Sequence, residues 1–219
     1  VSRKTRCGYL ATTSDANRAM PLRHFLYLEL PHALQTGRTY VVHCPTGTVA
    51  SYAFIFDPPR MRSEAVHVSQ AGFHPASAVK RAFLSCWMGD GGGISYPTSL
   101  VFRILDHATH ASVYAGVVQL ARRATEPEDP GYRNRNYTLA DVLSCEFPAL
   151  TQPGTYRVYV ESIGCSFPFA ISDTAWQQTF QVMMKGFYHQ RSGIALGPPY
   201  SDYVRPRCYH PDDGLKVYH

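Results

Sequence analysis

The sequence of 219 residues is poor in charge. Asp, Glu, Lys and Arg make up 17% of it, whereas a typical soluble domain has about 25%. Disordered acidic or basic chains need more charge than this, and so do coiled coils, whose flanking positions are charged. The composition excludes these two classes, and its 45% of hydrophobic residues is enough for an ordinary buried core.

Long hydrophobic runs and concentrated positive charge are also missing. No apolar stretch reaches the roughly 18 residues that a membrane-spanning helix needs. The 21 Lys and Arg residues exceed the 16 Asp and Glu residues by five. Arg3, Lys4 and Arg6 crowd the first six positions, but the other basic residues are scattered and form no stripe suited to a nucleic-acid groove. We therefore expect neither a membrane nor a nucleic acid as a partner.

Cysteine pairs of the zinc-binding type do not occur. The six cysteines are spread along the chain without a Cys-x-x-Cys pair, a spacing that is poor for zinc and adequate for disulfides. The sequence does not choose among the pairings, and we expect neither a metal nor a cofactor. The disulfide candidates are Cys7, Cys44, Cys86, Cys145, Cys165 and Cys208.

One N-glycosylation sequon is present. Asn136-Tyr137-Thr138 follows a polar stretch at 126–135, where a glycan would be exposed. Together with the cysteines, this sequon predicts a secreted, extracellular glycoprotein with disulfides.

Turn residues divide most of the chain into short segments typical of strands. These segments are rich in Val, Ile, Tyr and Phe, are bounded by Gly, Pro or Asp, and have no helical pattern between them. Such spacing predicts a mainly β fold, an antiparallel β-sandwich. The predicted strands are 25–30, 39–44, 49–56, 64–70, 79–87, 100–105, 112–119 and 155–162.

The hydrophobic period changes at residue 172 and predicts one amphipathic helix over 172–193, followed by irregular C-terminal coil. Five large apolar residues fall on one face of this helix. Ser172 is the expected N-cap and Gly193 the expected stop. So large an apolar face must pack against something, either the rest of a domain or a neighbouring subunit. The five residues are Trp176, Phe180, Met183, Met184 and Phe187.

Several stretches resemble, in the same order, a known arrangement. The stretch V-H-V-S-Q-A-G-F-H-P at 66–75 and the K-R-A-F-L strand at 80–84 are similar to the opening of the immunoglobulin-like (Ig-like) domain that precedes the catalytic domain in many glycoside hydrolase family 9 enzymes, which are cellulases and related β-glucanases. Residues 136–142, Phe147, 153–160 and 166–171 resemble its closing strands. The stretches F-Y-H-Q-R-S-G at 187–193 and R-P-R-C-Y-H at 205–210 resemble the first helix and following loop of the (α/α)6 catalytic barrel.

This resemblance implies a division of the chain into three parts. We expect an N-terminal extension at 1–21, an Ig-like β-sandwich at 22–171, and the first helix and loop of a truncated barrel at 172–219. Three departures bear on the subfamily: Ser69 replaces an Asn of the usual signature, Cys145-Glu146 replaces Ala-Asp, and Tyr209 separates Cys208 from the following His.

The resemblance supplies no catalytic residue. Family 9 enzymes invert configuration with an Asp base in a D-A-G-D motif and a distant Glu acid, which must stand roughly 6.5–9.5 Å apart. No D-A-G-D occurs in this sequence, and the adjacent Asp212 and Asp213 have no second partner. His107 and His110 fall in a predicted turn and are expected to be surface imidazoles. We therefore predict no catalysis by this chain alone.

Two functions follow as expectations. In the first, the chain is the N-terminal portion of a secreted family 9-like protein whose parent hydrolyses β-1,4-glucan. In the alternative, it is a glycosylated extracellular structural subunit that packs into a homo-oligomer or filament. The aromatic residues of the helix and tail would stack on a polysaccharide or cover an interface, with the interface favoured. They are Trp176, Tyr188, Tyr200, Tyr203 and Tyr209.

Overall fold

The computed structural model describes residues 1–7, 22–43, 51–129 and 131–214. Two disulfide candidates lie outside it, Cys44 entirely and Cys7 in its side chain, as does most of the predicted N-terminal extension. The strands are β1 (Ser2–Cys7), β2 (Leu22–Tyr27), β3 (Thr39–His43), β4 (Ser51–Ile55), β5 (Val66–Val68), β6 (Arg81–Leu84), β7 (Val101–Asp106), β8 (Ser112–Val117), β9 (Gln119–Arg122), β10 (Val142–Glu146), β11 (Gly154–Val160), β12 (Gly164–Cys165) and β13 (Phe169–Ile171). The helix α1 is Ala175–Gln190, and two short 3₁₀ helices are Gly89–Gly91 and Pro211–Asp213.

Two antiparallel sheets form the β-sandwich. One sheet has the strand order β5-β6-β10-β9, and the other has the order β12-β11-β7-β8 with β13 paired to β11. In β11, Tyr156, Val158 and Val160 are buried while Arg157 and Tyr159 are partly exposed, because successive side chains of a strand point to opposite faces of a sheet. This alternation confirms the predicted mainly β, Ig-like sandwich.

A cluster of phenylalanines fills the space between the sheets. The ring of Phe73 meets the rings of Phe147 and Phe169 edge-on, at centroid distances of 5.5 and 5.6 Å. Edge-to-face packing is favoured because the ring edge is positive and the ring face negative. Full burial of each such side chain stabilises the fold by about 1.5–3 kcal/mol.

The predicted strand at 112–119 is two strands in different sheets. Strand β8 pairs with β7 in one sheet, and β9 pairs with β10 in the other. Between them, the side chain of Val118 is buried in the core and its backbone N–H donates to the Leu100 carbonyl at 3.0 Å. The sequence does not indicate this change of sheet, because both strands are extended and together form one continuous run of β-forming residues.

A buried lysine joins two loops of the sandwich. Lys80 is 1% exposed, and its ammonium donates hydrogen bonds to the carbonyls of Pro75 at 2.7 Å, Ser77 at 2.8 Å and Pro148 at 3.2 Å. A buried charge is tolerated only where its hydrogen bonds are satisfied. Lys80 therefore holds the loop before β6 against the loop after β10.

Among the residues that the structure describes before residue 61, the strands pair with one another. Strands β1 and β2 form one two-stranded sheet, and β3 and β4 form another. The first strand that pairs within a sandwich sheet is β5, whose Val66 pairs with Leu84 of β6. The expected boundary of the sandwich at residue 22 stays a prediction.

Helix α1 confirms the predicted helix with shorter bounds. It begins at Ala175, and its N-cap position is Thr174 instead of Ser172. The Ser172 hydroxyl accepts a hydrogen bond from the Thr174 N–H at 3.1 Å, which forms a turn before the helix. The helix ends at Gln190, before Gly193. Neither α1 nor the 3₁₀ helices combine the length and the hydropathy of a membrane-spanning segment.

Candidate interaction site on helix α1 and the C-terminal segment

Helix α1 presents its large apolar side chains to solvent. Trp176, Phe180 and Phe187 are 57%, 62% and 64% exposed, and Met183 and Met184 are also exposed. We call these five residues the apolar face of α1. Within the described ranges this face is uncovered. Large contiguous apolar patches are rare on the surfaces of soluble proteins, and they mark interaction surfaces.

The start of α1 is attached to the sandwich. The backbone N–H of Ser172 donates to the Phe73 carbonyl at 3.0 Å, and Phe73 forms a parallel bridge with Ile171. His74 Nε2 lies 3.5 Å from Asp173 Oδ1, which adds an exposed contact. These contacts fix where the helix leaves the sandwich.

The C-terminal segment folds back on the end of α1. Leu196 and Arg205 exchange two backbone hydrogen bonds of 2.9 and 3.1 Å, and the Gly193 N–H donates to the Cys208 carbonyl at 2.6 Å. Leu196 is buried. The Arg205 guanidinium donates to the Arg191 carbonyl at 2.7 Å, which satisfies a carbonyl at the C-terminus of the helix.

A histidine–serine hydrogen bond positions this segment. His189 Nε2 lies 2.7 Å from the hydroxyl of Ser201, and the same hydroxyl accepts from the Tyr203 N–H at 3.0 Å. Ser201 is buried, so a substrate has no access to this hydroxyl. The pair is a structural contact between the helix and the tail.

The fold brings three of the five predicted aromatic residues together. The rings of Tyr188 and Tyr200 are 6.2 Å apart, and Tyr203 lies 6.1 Å from the imidazole of His189. Trp176 precedes Tyr188 by twelve residues and therefore lies about 18 Å away along the helix. Tyr209 is exposed and does not join the cluster. Sequence reasoning did not anticipate this grouping, because the return of the tail depends on the backbone contacts of Leu196.

A groove of about 500 Å³ lies beside the tyrosines. It is lined by Met184, Lys185, Tyr188, Arg191 and Tyr200. One apolar side chain, two cations and two aromatic rings make this a mixed surface, and it is continuous with the apolar face of α1 through Met184.

The adjacent carboxylates of the tail are used in ion pairs. Arg207 donates to Asp213 Oδ1 from Nε at 3.1 Å and from Nη2 at 2.9 Å, and its Nη1 lies 3.6 Å from Asp212 Oδ2. One guanidinium thus contacts both carboxylates. This arrangement supports a structural role for Asp212 and Asp213.

His107, one of the two histidines of the predicted turn, is hydrogen-bonded to a neighbouring strand. Its Nδ1 accepts a hydrogen bond from Arg157 Nε at 3.0 Å. Over the described ranges, no group of three His, Cys, Asp or Glu residues is arranged to hold a metal ion.

Four of the disulfide candidates are free thiols in the structure. Cys86, Cys145 and Cys165 are buried, and Cys208 is half-buried. Burial raises the pKa of Cys145 to about 12 and that of Cys165 to about 11, and it also raises the pKa of Cys86. Buried thiols with raised pKa values are poor nucleophiles. The predicted disulfides are not seen among these four residues and stay a prediction.

The predicted glycosylation residue stabilises a turn. Asn136 Nδ2 donates to the Glu126 carbonyl at 3.1 Å, and its Oδ1 accepts from the N–H groups of Leu139 at 2.8 Å and Thr138 at 3.2 Å. Asn136 is half-buried. Modification at Asn136 stays a prediction, and a glycan on Nδ2 would have to preserve this turn.

Comparison with known proteins confirms the resemblance for the sandwich. Residues 61–164 match the family of cellulase N-terminal Ig-like domains. A metagenome-derived glycoside hydrolase family 9 endoglucanase is 22% identical with a TM-score of 0.51, over 65% of this chain and 24% of that chain. Bacteroides ovatus GH9 is 21% identical with a TM-score of 0.48, over 68% and 23%. This chain thus spans about a quarter of these proteins, and no curated protein sequence matches it.

Proposed function

We propose that the cellulase N-terminal Ig-like domain at residues 61–164 is here the non-catalytic support of a glycoside hydrolase family 9-like catalytic domain that acts on β-1,4-glucan. The sandwich has a packed core and no acid–base pair assigned from the sequence. Its role in this proposal is mechanical: it positions α1 at the start of the catalytic domain.

The apolar face of α1 carries this proposal. The helix is anchored to the sandwich at Ser172 and exposes five large apolar residues along its length. Burying apolar surface contributes about 25 cal/mol per Å², so a complementary surface would be held strongly. We assign that surface to the remainder of the catalytic domain, and residues 172–219 to the beginning of this domain.

The location of the protein, the substrate of its parent and the role of the groove are part of the same proposal. The resemblance to cellulases supports an extracellular protein and a polysaccharide substrate for the parent. The ion-paired state of Asp212 and Asp213 supports the absence of hydrolysis by this chain alone. The groove beside Tyr188 and Tyr200 is continuous with the apolar face, which supports a role in the interface above a role in sugar binding.

The product of the complete gene tests the proposal. We expect a protein longer than this chain that releases reducing sugar from a soluble β-1,4-glucan. The double substitution Phe180→Ala and Phe187→Ala should lower the melting temperature of its catalytic domain. Val182→Ala is the matched control, because Val182 is 73% exposed and points away from the apolar face.

Two results would overturn this assignment. One is a native protein that ends near His219 and sediments as a stable oligomer, which would transfer the apolar face to a second copy. The other is an unchanged melting temperature of the longer protein after the double substitution.

A further inference from the structure

The N-terminal strand β1 lies on a turn of the sandwich that only glycine permits. A Cβ atom added at Gly89 would overlap the Arg3 carbonyl oxygen and lie 2.7 Å from Lys4 Cα. A Cβ added at Gly91 would lie 2.5 Å from the hydroxyl oxygen of Ser2. Real Cβ contacts are not this short, so these glycines allow β1 to approach the turn.

A backbone contact holds β1 at the same turn. The Arg3 N–H donates to Asp90 Oδ1 at 2.5 Å. The glycine-rich stretch at 89–93 therefore does more than connect two strands: the segment Gly89–Gly91 is the surface on which β1 rests.

The side chain of Lys4 lies against the sandwich next to this turn. Lys4 is 4% exposed. Its ammonium donates to Glu64 Oε1 and to the Trp87 carbonyl at 3.2 Å, and the Tyr27 hydroxyl donates to Glu64 Oε2 at 2.9 Å. Both oxygens of the Glu64 carboxylate are thereby occupied.

Three aromatic rings surround the same ammonium. Lys4 Nζ lies 5.4 Å from the ring centroid of Tyr27, 5.7 Å from that of Phe25 and 5.9 Å from that of Trp87. A cation within about 6 Å of an aromatic centroid is attracted by the negative face of the ring. Phe25 and Tyr27 belong to β2, the hairpin partner of β1, whereas Glu64 and Trp87 come from the sandwich side of the contact. We call Glu64 and Trp87 the ammonium cage.

We propose that the ammonium cage and the turn Gly89–Gly91 form a docking site for an extended strand that carries a lysine, and that its occupant is the chain's own strand Ser2–Cys7. The site is built for this occupant at two separate points. The cage matches a single ammonium, because a buried cation needs a carboxylate partner and further hydrogen-bond acceptors. The turn allows the backbone of a strand to approach closely, because Gly89 and Gly91 have no side chains in the way.

The consequence is that the hairpin of β1 and β2 is attached to the sandwich although it shares no sheet with it. An isolated two-stranded hairpin is marginally stable in water, so its order depends on this docking. This inference is independent of the proposed support function.

Hydrogen–deuterium exchange of the full 219-residue chain tests the docking. We expect Lys4→Met to speed exchange in Ser2–Cys7 and Leu22–Tyr27 by about tenfold or more, because a hydrogen bond to a charged group contributes about 1.5–3 kcal/mol. Arg23→Met is the matched control: it removes an equal charge from the same hairpin at an exposed position and should leave exchange unchanged. Protection of Gly154–Val160 reports that the sandwich remains folded in every variant.

A second pair of variants tests the turn without touching the cage. Gly91→Ala should speed exchange in β1, because its new methyl group meets Ser2. Adding Ser2→Gly to the Gly91→Ala chain should restore protection, since the obstructing side chain is then gone.

Three results would overturn the inference. These are unchanged exchange in both Lys4→Met and Gly91→Ala, an equal increase in Arg23→Met, and protection of β1 that falls on dilution. The last would show that β1 docks on another copy of the chain.

Discussion

Replacing Lys80 by methionine should destabilise the sandwich by about 2–3 kcal/mol. The ammonium donates to three carbonyls, and each hydrogen bond to a charged group contributes about 1.5–3 kcal/mol. The cost of burying the ammonium offsets several kcal/mol of this sum. Methionine keeps most of the side-chain volume, so the loss measured is that of the charged donor.

Lys80→Ala should cost more, about 4–5 kcal/mol. It also removes three buried methylene groups, each contributing about 0.8 kcal/mol. Arg81→Met is the matched control on the same strand. Arg81 pairs with Glu146 at 2.6 Å on the surface, and such exposed pairs contribute about 1 kcal/mol or less.

Urea unfolding at neutral pH measures these differences: a lower transition midpoint with an unchanged dependence of the unfolding free energy on urea concentration reports a loss of stability. If Lys80→Met unfolds at the midpoint of the unsubstituted chain, or if Arg81→Met costs as much, our account of Lys80 is wrong.

The pH dependence of stability gives a second readout for Lys80. Burial lowers the pKa of Lys80 from its ordinary 10.5, so the folded chain releases this proton at a lower pH than the unfolded chain does. Between the folded pKa and 10.5 the unfolded chain therefore binds more protons, and this group makes the protein more stable as the pH rises. The Lys80→Met chain should lack this increment.

Three further predictions concern the cage, the thiols and catalysis. Burial opposes ionisation of Glu64, but hydrogen bonds from Lys4 and Tyr27 outweigh it and lower the pKa of Glu64 from its ordinary 4.5. Docking of β1 should therefore persist above pH 4.5 and weaken as the pH falls through the pKa of Glu64 in the folded chain. Hydrogen exchange, corrected for the pH dependence of the intrinsic rate, measures this change. Iodoacetamide at pH 8 should label Cys208 before Cys145 in the native chain, because Cys145 is buried, with mass spectrometry as the measurement. The purified 219-residue chain should release no reducing sugar from a soluble β-1,4-glucan.

Each of these predictions has a specific contrary result. Glu64→Gln should abolish the acid dependence of β1 exchange, and an identical acid dependence in that variant would count against Glu64. Labelling of Cys145 as fast as Cys208 in the folded chain would contradict its burial. Sugar release that survives repeated purification would show that the chain has catalytic groups of its own.

Local pattern was enough to predict β5, β6, β7 and β11 of the sandwich and the helix, but not β10, β12 or β13. In β11, the buried residues Tyr156, Val158 and Val160 alternate with Arg157 and Tyr159, because a strand with one buried face has a period of two. The apolar face of α1 followed from the period of 3.6 in the same way. The motifs at 66–75, 80–84 and 136–142 then indicated the Ig-like domain, and they lie within the matched region 61–164.

Contacts between distant parts of the chain could not be predicted in this way. The sequence shows Lys4 and Lys80 as ordinary charged residues of an extended segment and a strand. Their burial depends on carbonyls and a carboxylate contributed by other segments, such as Pro148 and Glu64. The change of sheet at Val118 escaped prediction for the same reason, since it depends on the pairing partners of β8 and β9.

The sequence by itself therefore determined the helix, most of the strands and the apolar face of the helix, because these properties repeat with the local geometry of the backbone. Tertiary structure alone decided that two lysines are buried, that Gly89 and Gly91 receive the N-terminal strand, and that three tyrosines gather at the end of α1. The physical reason is that the free energy of a buried charge or a close backbone approach depends on the groups that surround it, and those groups come from residues far away in the chain.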